Sequence, residues 1–171
     1  MSILKVDTIN EKTTGNGVEI AHALKGSGIA GHIKQVKING SSGWSNTTST
    51  SAVDALTCSI TPSATTSNVL VLLNLNGITV SQNSQWGILE LYRDTTLIRN
   101  VSGILGYSVS HIHYNTDFSY NYLDDAVSTT SSVTYKLKFR TSNSVAYVGF
   151  NNYGQFNNTT SSAMTLLEIA G

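Results

Sequence analysis

From about residue 31 onward the apolar residues fall in runs of strand length, separated by clusters of Gly, Asn and Ser, and no long segment repeats at the helical period. The runs are HIKQVKI, AVDALTCSI, NVLVLLNLNGITV, WGILELYRD, TLIRNV, GYSVSHIHYNTDFSYNYL, SVTYKLKFRT, VAYVGFN and MTLLEIA. Several alternate plainly: Tyr135, Leu137 and Phe139 interleave with Thr134, Lys136, Lys138 and Arg140, so one face is buried and the other wet. The stretch NVLVLLNL is apolar at both phases. It predicts a central strand covered by the opposite sheet on one side and by something else on the other, for which a partner subunit would serve. The spacing of strands and turns is that of an all-β fold, an antiparallel jelly-roll sandwich of eight or nine strands spanning residues 31–171.

The first thirty residues are patterned differently. Ile3 with Leu4, Val6, Ile9, Val18 and Ile20 are isolated by polar runs and by Gly15, Gly17, Gly26 and Gly28, too sparsely for a core of their own. Val18 and Ile20 alternate around Glu19 after the turn-like TTGNG, which predicts a short β-hairpin. A hairpin with one thin apolar face is stable only when packed on something else, and three copies wound about a common axis would supply it. The chain is therefore divided into an N-terminal trimerisation segment, 1–30, and a head domain, 31–171.

Composition sharpens this picture. Charged residues make up 12% of the chain and apolar residues 40%, the formal net charge is zero, and Ser, Thr and Asn fill about a third of the positions. Such a chain can fold, and its exposed sheet faces are mostly uncharged. Ten basic and ten acidic residues spread thinly give no electrostatic footprint for nucleic acid or an anionic membrane. Zero net charge also removes repulsion between copies, which suits a permanent assembly. The single cysteine, Cys58, lies in an apolar run and reads as a buried strand residue. No basic region followed by an apolar stretch opens the chain and no run reaches transmembrane length, so folding in a cytoplasm without membrane insertion is expected.

No nucleophile elbow, phosphate loop, dinucleotide fingerprint or zinc-type cysteine pair is present, and the chain reads as a binder rather than an enzyme. Asp124 and Asp125 are adjacent, cannot share a strand face, and are taken as a turn. His111 and His113 share a strand face. They are either surface or interface histidines with ordinary hydrogen bonds or, repeated three times about a threefold axis, a cage for a metal ion; no other cofactor is implied. The Glu and later His that complete a cupin site are lacking. Lys136, Lys138 and Arg140 read as a solvated strand face, with an anion or glycan contact as the other reading. Aromatic rings amid Asn, Gln and Ser suit the flat face of a sugar, which makes Trp44, Trp86, Tyr153 and Phe156 the candidates for receptor binding unless the rings fold back on their own sheets.

The opening SILKVDTINEKTTGNGVEIAHALKGSGI, with its V-D-T-I and T-G-N-G-V cores, resembles a segment repeated in virion structural proteins and tail fibres of marine and cyanobacterial tailed phages. The remainder, through LELYRDTTLI, YNYLDDAVSTTSSVTYKLKFRT and the terminal MTLLEIAG, is similar to the head domains of such fibres, which resemble trimeric jelly rolls of the tumour-necrosis-factor and C1q type. The resemblance implies that Asp7, Thr8 and Ile9, with Gly15, Asn16, Gly17 and Val18, form an intertwined virion-anchoring base, and that Glu168 is structural. It implies a virion surface protein made in the host bacterial cytoplasm: a short homotrimeric tail fibre or spike, joined to other virion proteins of tail or capsid, whose head binds a host surface glycan. The alternative is a trimeric decoration protein that stabilises the capsid. A polysaccharide depolymerase, which needs two facing carboxylates, is a third and weaker reading.

Overall fold

In the computed structural model the described residues are 31–42, 45–80, 86–105, 116–144, 148–150 and 161–171, and Gly31–Gly171 form one unit. They hold ten strands: β1 (Ile33–Ser42), β2 (Ser45–Thr47), β3 (Val53–Ile60), β4 (Asn68–Val80), β5 (Trp86–Arg93), β6 (Thr96–Leu105), β7 (Thr116–Asp124), β8 (Val133–Thr141), β9 (Val148–Phe150) and β10 (Ser161–Ile169). Each of the nine apolar runs overlaps one of these strands. The tenth, β2, is a polar three-residue strand that the apolar pattern does not mark; its conformation is set by pairing with β9.

The long strands make two antiparallel sheets. One has the order β1-β10-β4-β7, with the short β9 and β2 continuing it beside the far end of β4; the other has the order β3-β8-β5-β6. Counted along the chain, the eight long strands neighbour one another as 1-8-3-6 and 2-7-4-5. That is jelly-roll order, in which successive strands cross from sheet to sheet. Among the described residues, β5 and β6 alone form a hairpin between long strands. Its turn places Asp94 at φ 52, a left-handed conformation that Asp tolerates, with its carboxylate accepting the Thr134 N–H at 2.9 Å.

The core forms where the alternating phases meet. Val69, Val71, Leu73 and Leu75 of β4 and Met164 and Leu166 of β10 pack against Leu56, Cys58 and Ile60 of β3, Leu89 and Leu91 of β5, and Tyr135, Leu137 and Phe139 of β8. Beyond Leu75 the β4–β7 register shifts around Gly77, at φ 59, and β4 turns to pair with β9. There β5 comes so close that a Cβ on Gly87 would lie 2.6 Å from Val148 Cγ2 and 2.9 Å from Val80 Cγ2. Any side chain at that crossing would press on Val148 and Val80, and glycine avoids the clash.

The sandwich has a lower and an upper end. At the lower end β1 begins and β10 ends: Gly31 N–H donates to Ala170 O at 2.7 Å and Ala170 N–H to His32 O at 2.9 Å. The 61–67 loop, the Asp94 turn and the 125–132 connection lie at this end too. At the upper end are Ser42, Val80, Trp86, Leu105, Thr116, Thr141, Phe150 and Ser161.

Candidate functional site

Of the four aromatic candidates, the described residues include Trp86. It opens β5 at the upper end with 47% of its surface exposed, and its backbone is clamped to the end of β8: Trp86 N–H donates to Ser142 Oγ at 2.9 Å and Ser142 N–H to Trp86 O at 2.8 Å. Trp44, Tyr153 and Phe156, the histidines His111 and His113, and the anchor residues Ile3, Leu4, Val6, Ile9, Val18 and Ile20 lie outside the described residues. The residues flanking the head-domain candidates are nevertheless instructive. Ser45, which follows Trp44, pairs with Phe150, which precedes segment 151–160. Leu105, which precedes segment 106–115, pairs with Trp86. The strand ends that lead into each candidate segment of the head thus belong to one end of the sandwich, opposite Gly31.

The lower end is tied together by two buried carboxylates. Asp124 is the last residue of β7 rather than part of a turn, in phase with the inward Tyr120 and Tyr122, while Asp125 is exposed. Its oxygens accept from Arg93 Nη1 of β5 at 2.8 and 2.9 Å, from the Tyr135 hydroxyl of β8 at 2.7 Å and from Ala126 N–H at 3.3 Å. This joins the two sheets. Burial and the Asp124 carboxylate it donates to hold the Tyr135 phenol protonated well above the usual range. On the other side of the sandwich, fully buried Glu168 of β10 accepts through Oε1 from Ser63 N–H at 2.7 Å, Ser63 Oγ at 2.6 Å and Ser67 Oγ at 2.7 Å. Its Oε2 accepts from Gln35 Nε2 at 2.6 Å, and the same Gln35 amide donates to Thr61 O at 2.6 Å. Burial acts to raise this carboxyl, but the donors outweigh it and bring its pKa to about 2.

The outer faces of the two sheets differ in kind. On the β3-β8-β5-β6 sheet the basic trio is neutralised by carboxylates from the flanking strands. Asp54 of β3 bridges Lys136 at 3.1 Å and Lys138 at 3.3 Å, and Glu90 of β5 accepts from Arg140 Nε at 3.0 Å and from the Tyr92 hydroxyl at 3.2 Å. Lys138 Nζ also lies 4.6 Å from the Tyr92 ring centre. This is a solvent-facing sheet whose charges satisfy one another.

On the β1-β10-β4-β7 sheet the outward residues line up in ranks across the strands. One rank is Val36, Leu167, Leu70 and Leu123; the next is Ile38, Thr165, Leu72 and Asn121; then come Gly40, Ala163, Asn74 and Ser119. None of these is charged. Ser119 Oγ donates to Asn74 Oδ1 at 2.7 Å, so polarity at the upper margin of this face is partly satisfied within it. The doubly apolar reading of β4 is thereby resolved: Val69, Val71, Leu73 and Leu75 face the core, and Leu70 and Leu72 are half-buried on the outer face. The ranks depend on strand order, which the sequence pattern does not reveal; the two carboxylate clusters depend on it too.

No protein-family model and no curated protein matches the chain. Solved structures it resembles include the VP2 subviral particle of infectious bursal disease virus, with 11% identity and a TM-score of 0.38, over 81% of this chain and 38% of that one. A structure of the Gx strain of the same virus gives 14% identity and a TM-score of 0.34, over 89% of this chain and 45% of that one. The chain spans less than half the length of either. The jelly-roll assignment rests on this chain's own strand order.

Proposed function

We propose that the chain is a non-catalytic surface protein of a tailed-phage particle, a short homotrimeric fibre or spike whose head binds a host surface glycan. The observation that supports this most is the polarity of the sandwich. Residue 31, where the preceding thirty residues connect, lies at one end, and the strand ends leading to Trp44, Trp86, Tyr153 and Phe156 lie at the other. A module fixed to a particle at its base and carrying sugar-type aromatics at its far end has this arrangement. The phage assignment itself draws on the V-D-T-I and T-G-N-G-V segment. The test is immunogold electron microscopy of intact particles with antibody against residues 31–171, followed by glycan arrays with the wild type and Trp86→Ala. Label confined to the tail, with glycan binding weakened in the variant, supports the reading. Label spread over the head supports capsid decoration instead, and absence of label from intact particles overturns both.

A further inference from the structure

The two long sides of the sandwich are finished differently. Where β1 runs beside β3, side chains lace the edges together: Asn39 Nδ2 donates to Thr57 O at 2.7 Å and Gln35 Nε2 to Thr61 O at 2.6 Å. On the opposite side, β6 borders one sheet and β7 the other. The pairing of β6 with β5 passes from Ser102 to Asn100 and from Arg99 to Leu97, so Val101 and Ile98 are extra residues and this edge is bulged twice. Bulges at a sheet edge turn it away from further strand pairing and re-aim its side chains. Against the bulged stretch lies a hollow of about 370 Å3, lined among the described residues by Leu97, Ile98, Arg99 and Asn100. Arg99 pairs with core residue Leu91 and so leaves β6 on the side of the other sheet, where its guanidinium lies over the Tyr122 ring of β7, 4.9 Å from the ring centre. Arg93 and Arg140 are bridged by Asp124 and Glu90. Every Asp and Glu of residues 31–171 is described, and none is in ion-pair contact with Arg99.

We propose that this hollow binds an acidic saccharide, with the sugar's carboxylate on Arg99, a neighbouring hydroxyl on the Asn100 amide, and Leu97 and Ile98 against the apolar face of the ring. A guanidinium seated on an aromatic face keeps its N–H edge for another partner, and its planar fork matches a carboxylate with two parallel hydrogen bonds. The volume lies within the range of small-ligand sites. A short run of apolar and amide side chains beside an uncompensated cation suits a sugar that carries both an apolar ring face and a charge. The saccharide rests on the host-glycan reading above, to which this adds a charge class and a second place, on the side of the head rather than at its Trp86 end. The carboxylate rests on Arg99.

The test is nitrogen–proton NMR of the full chain titrated with trigalacturonate, with maltotriose as the neutral counterpart and inorganic phosphate as the competing oxyanion. Trigalacturonate is expected to shift the backbone N–H signals of Leu97, Ile98, Arg99 and Asn100 and the side-chain N–H of Arg99. Its affinity should fall roughly tenfold or more in Arg99→Gln, where a charge-assisted pair is lost, and should weaken as salt is raised. Arg99→Lys, which keeps the charge without the fork, should fall between. Lys37→Gln, which removes the same charge from an exposed position on β1, should bind as the wild type does. Equal binding of maltotriose, or trigalacturonate binding that survives Arg99→Gln, overturns the carboxylate site. Phosphate binding there as tightly as the trisaccharide overturns the saccharide. No shift at these residues, with glycan binding through Trp86 retained, overturns this inference and leaves the reading above standing. Loss of all glycan binding overturns both.

Discussion

Replacing Glu168 by Gln probes the lower end of the sandwich with almost no change in shape. The carboxylate is fully buried and receives four hydrogen bonds, three of them on Oε1. A Gln can keep its carbonyl at the Oε1 position, but its NH2 would then face the Gln35 amide. Turning that amide to offer its oxygen sacrifices the Gln35–Thr61 bond. With the folded-state pKa at about 2 against an ordinary 4.5, the ionised group contributes about 3 kcal/mol at neutral pH. Because the folded value is the lower one, this contribution is fully present above pH 4.5 and is lost as pH falls toward 2. Urea unfolding of wild type and Glu168→Gln, at one protein concentration so that assembly is held constant, should differ by about 3 kcal/mol at pH 7, or roughly 10 °C in Tm. The gap should narrow by about 2 kcal/mol at pH 3. A gap that stays constant from pH 7 to pH 3 would refute the claim that the anion is what these donors stabilise.

Gly87→Ala should cost about 1–3 kcal/mol in urea unfolding, since the new methyl would press on Val148 and Val80; adding Val148→Ala should recover part of the loss. Arg93→Met strands the Asp124 carboxylate between the sheets with Tyr135 and one backbone donor, and should cost about 3 kcal/mol. The double change to Arg93→Met with Asp124→Asn should cost less than the single one, which a double-mutant cycle reads directly. Burial raises the Cys58 thiol, so an aromatic disulfide reagent at pH 8 should label it only after denaturant is added.

The strands were legible because their apolar residues fall in strand-length runs with periods of their own: β8 alternates without a break, and β4 is apolar at both phases. β2 was not, because Ser45–Thr47 has no pattern of its own and depends on a partner about a hundred residues away. Asp124 was misread because adjacency to Asp125 suggested a turn, although the phase of Phe118, Tyr120 and Tyr122 runs straight into it. The same signal, a carboxylate in the inward phase, marks Glu168 after Met164 and Leu166. What no local pattern could reveal is who answers these charges. Arg93 lies 31 residues from Asp124, and Ser63 lies 105 residues from Glu168; only the jelly-roll crossing brings them together. The neutralisation of Lys136, Lys138 and Arg140 likewise required β3 and β5 to flank β8 on either side. The candidate aromatics were legible as rings among polar residues, and the strand order adds that their flanking strand ends belong to one end of the head.

Self-assembly is tested in one experiment by sedimentation equilibrium of the full chain over the micromolar range. The expected result is a single species at three times the chain mass throughout; a single species at the chain mass would contradict the homotrimer.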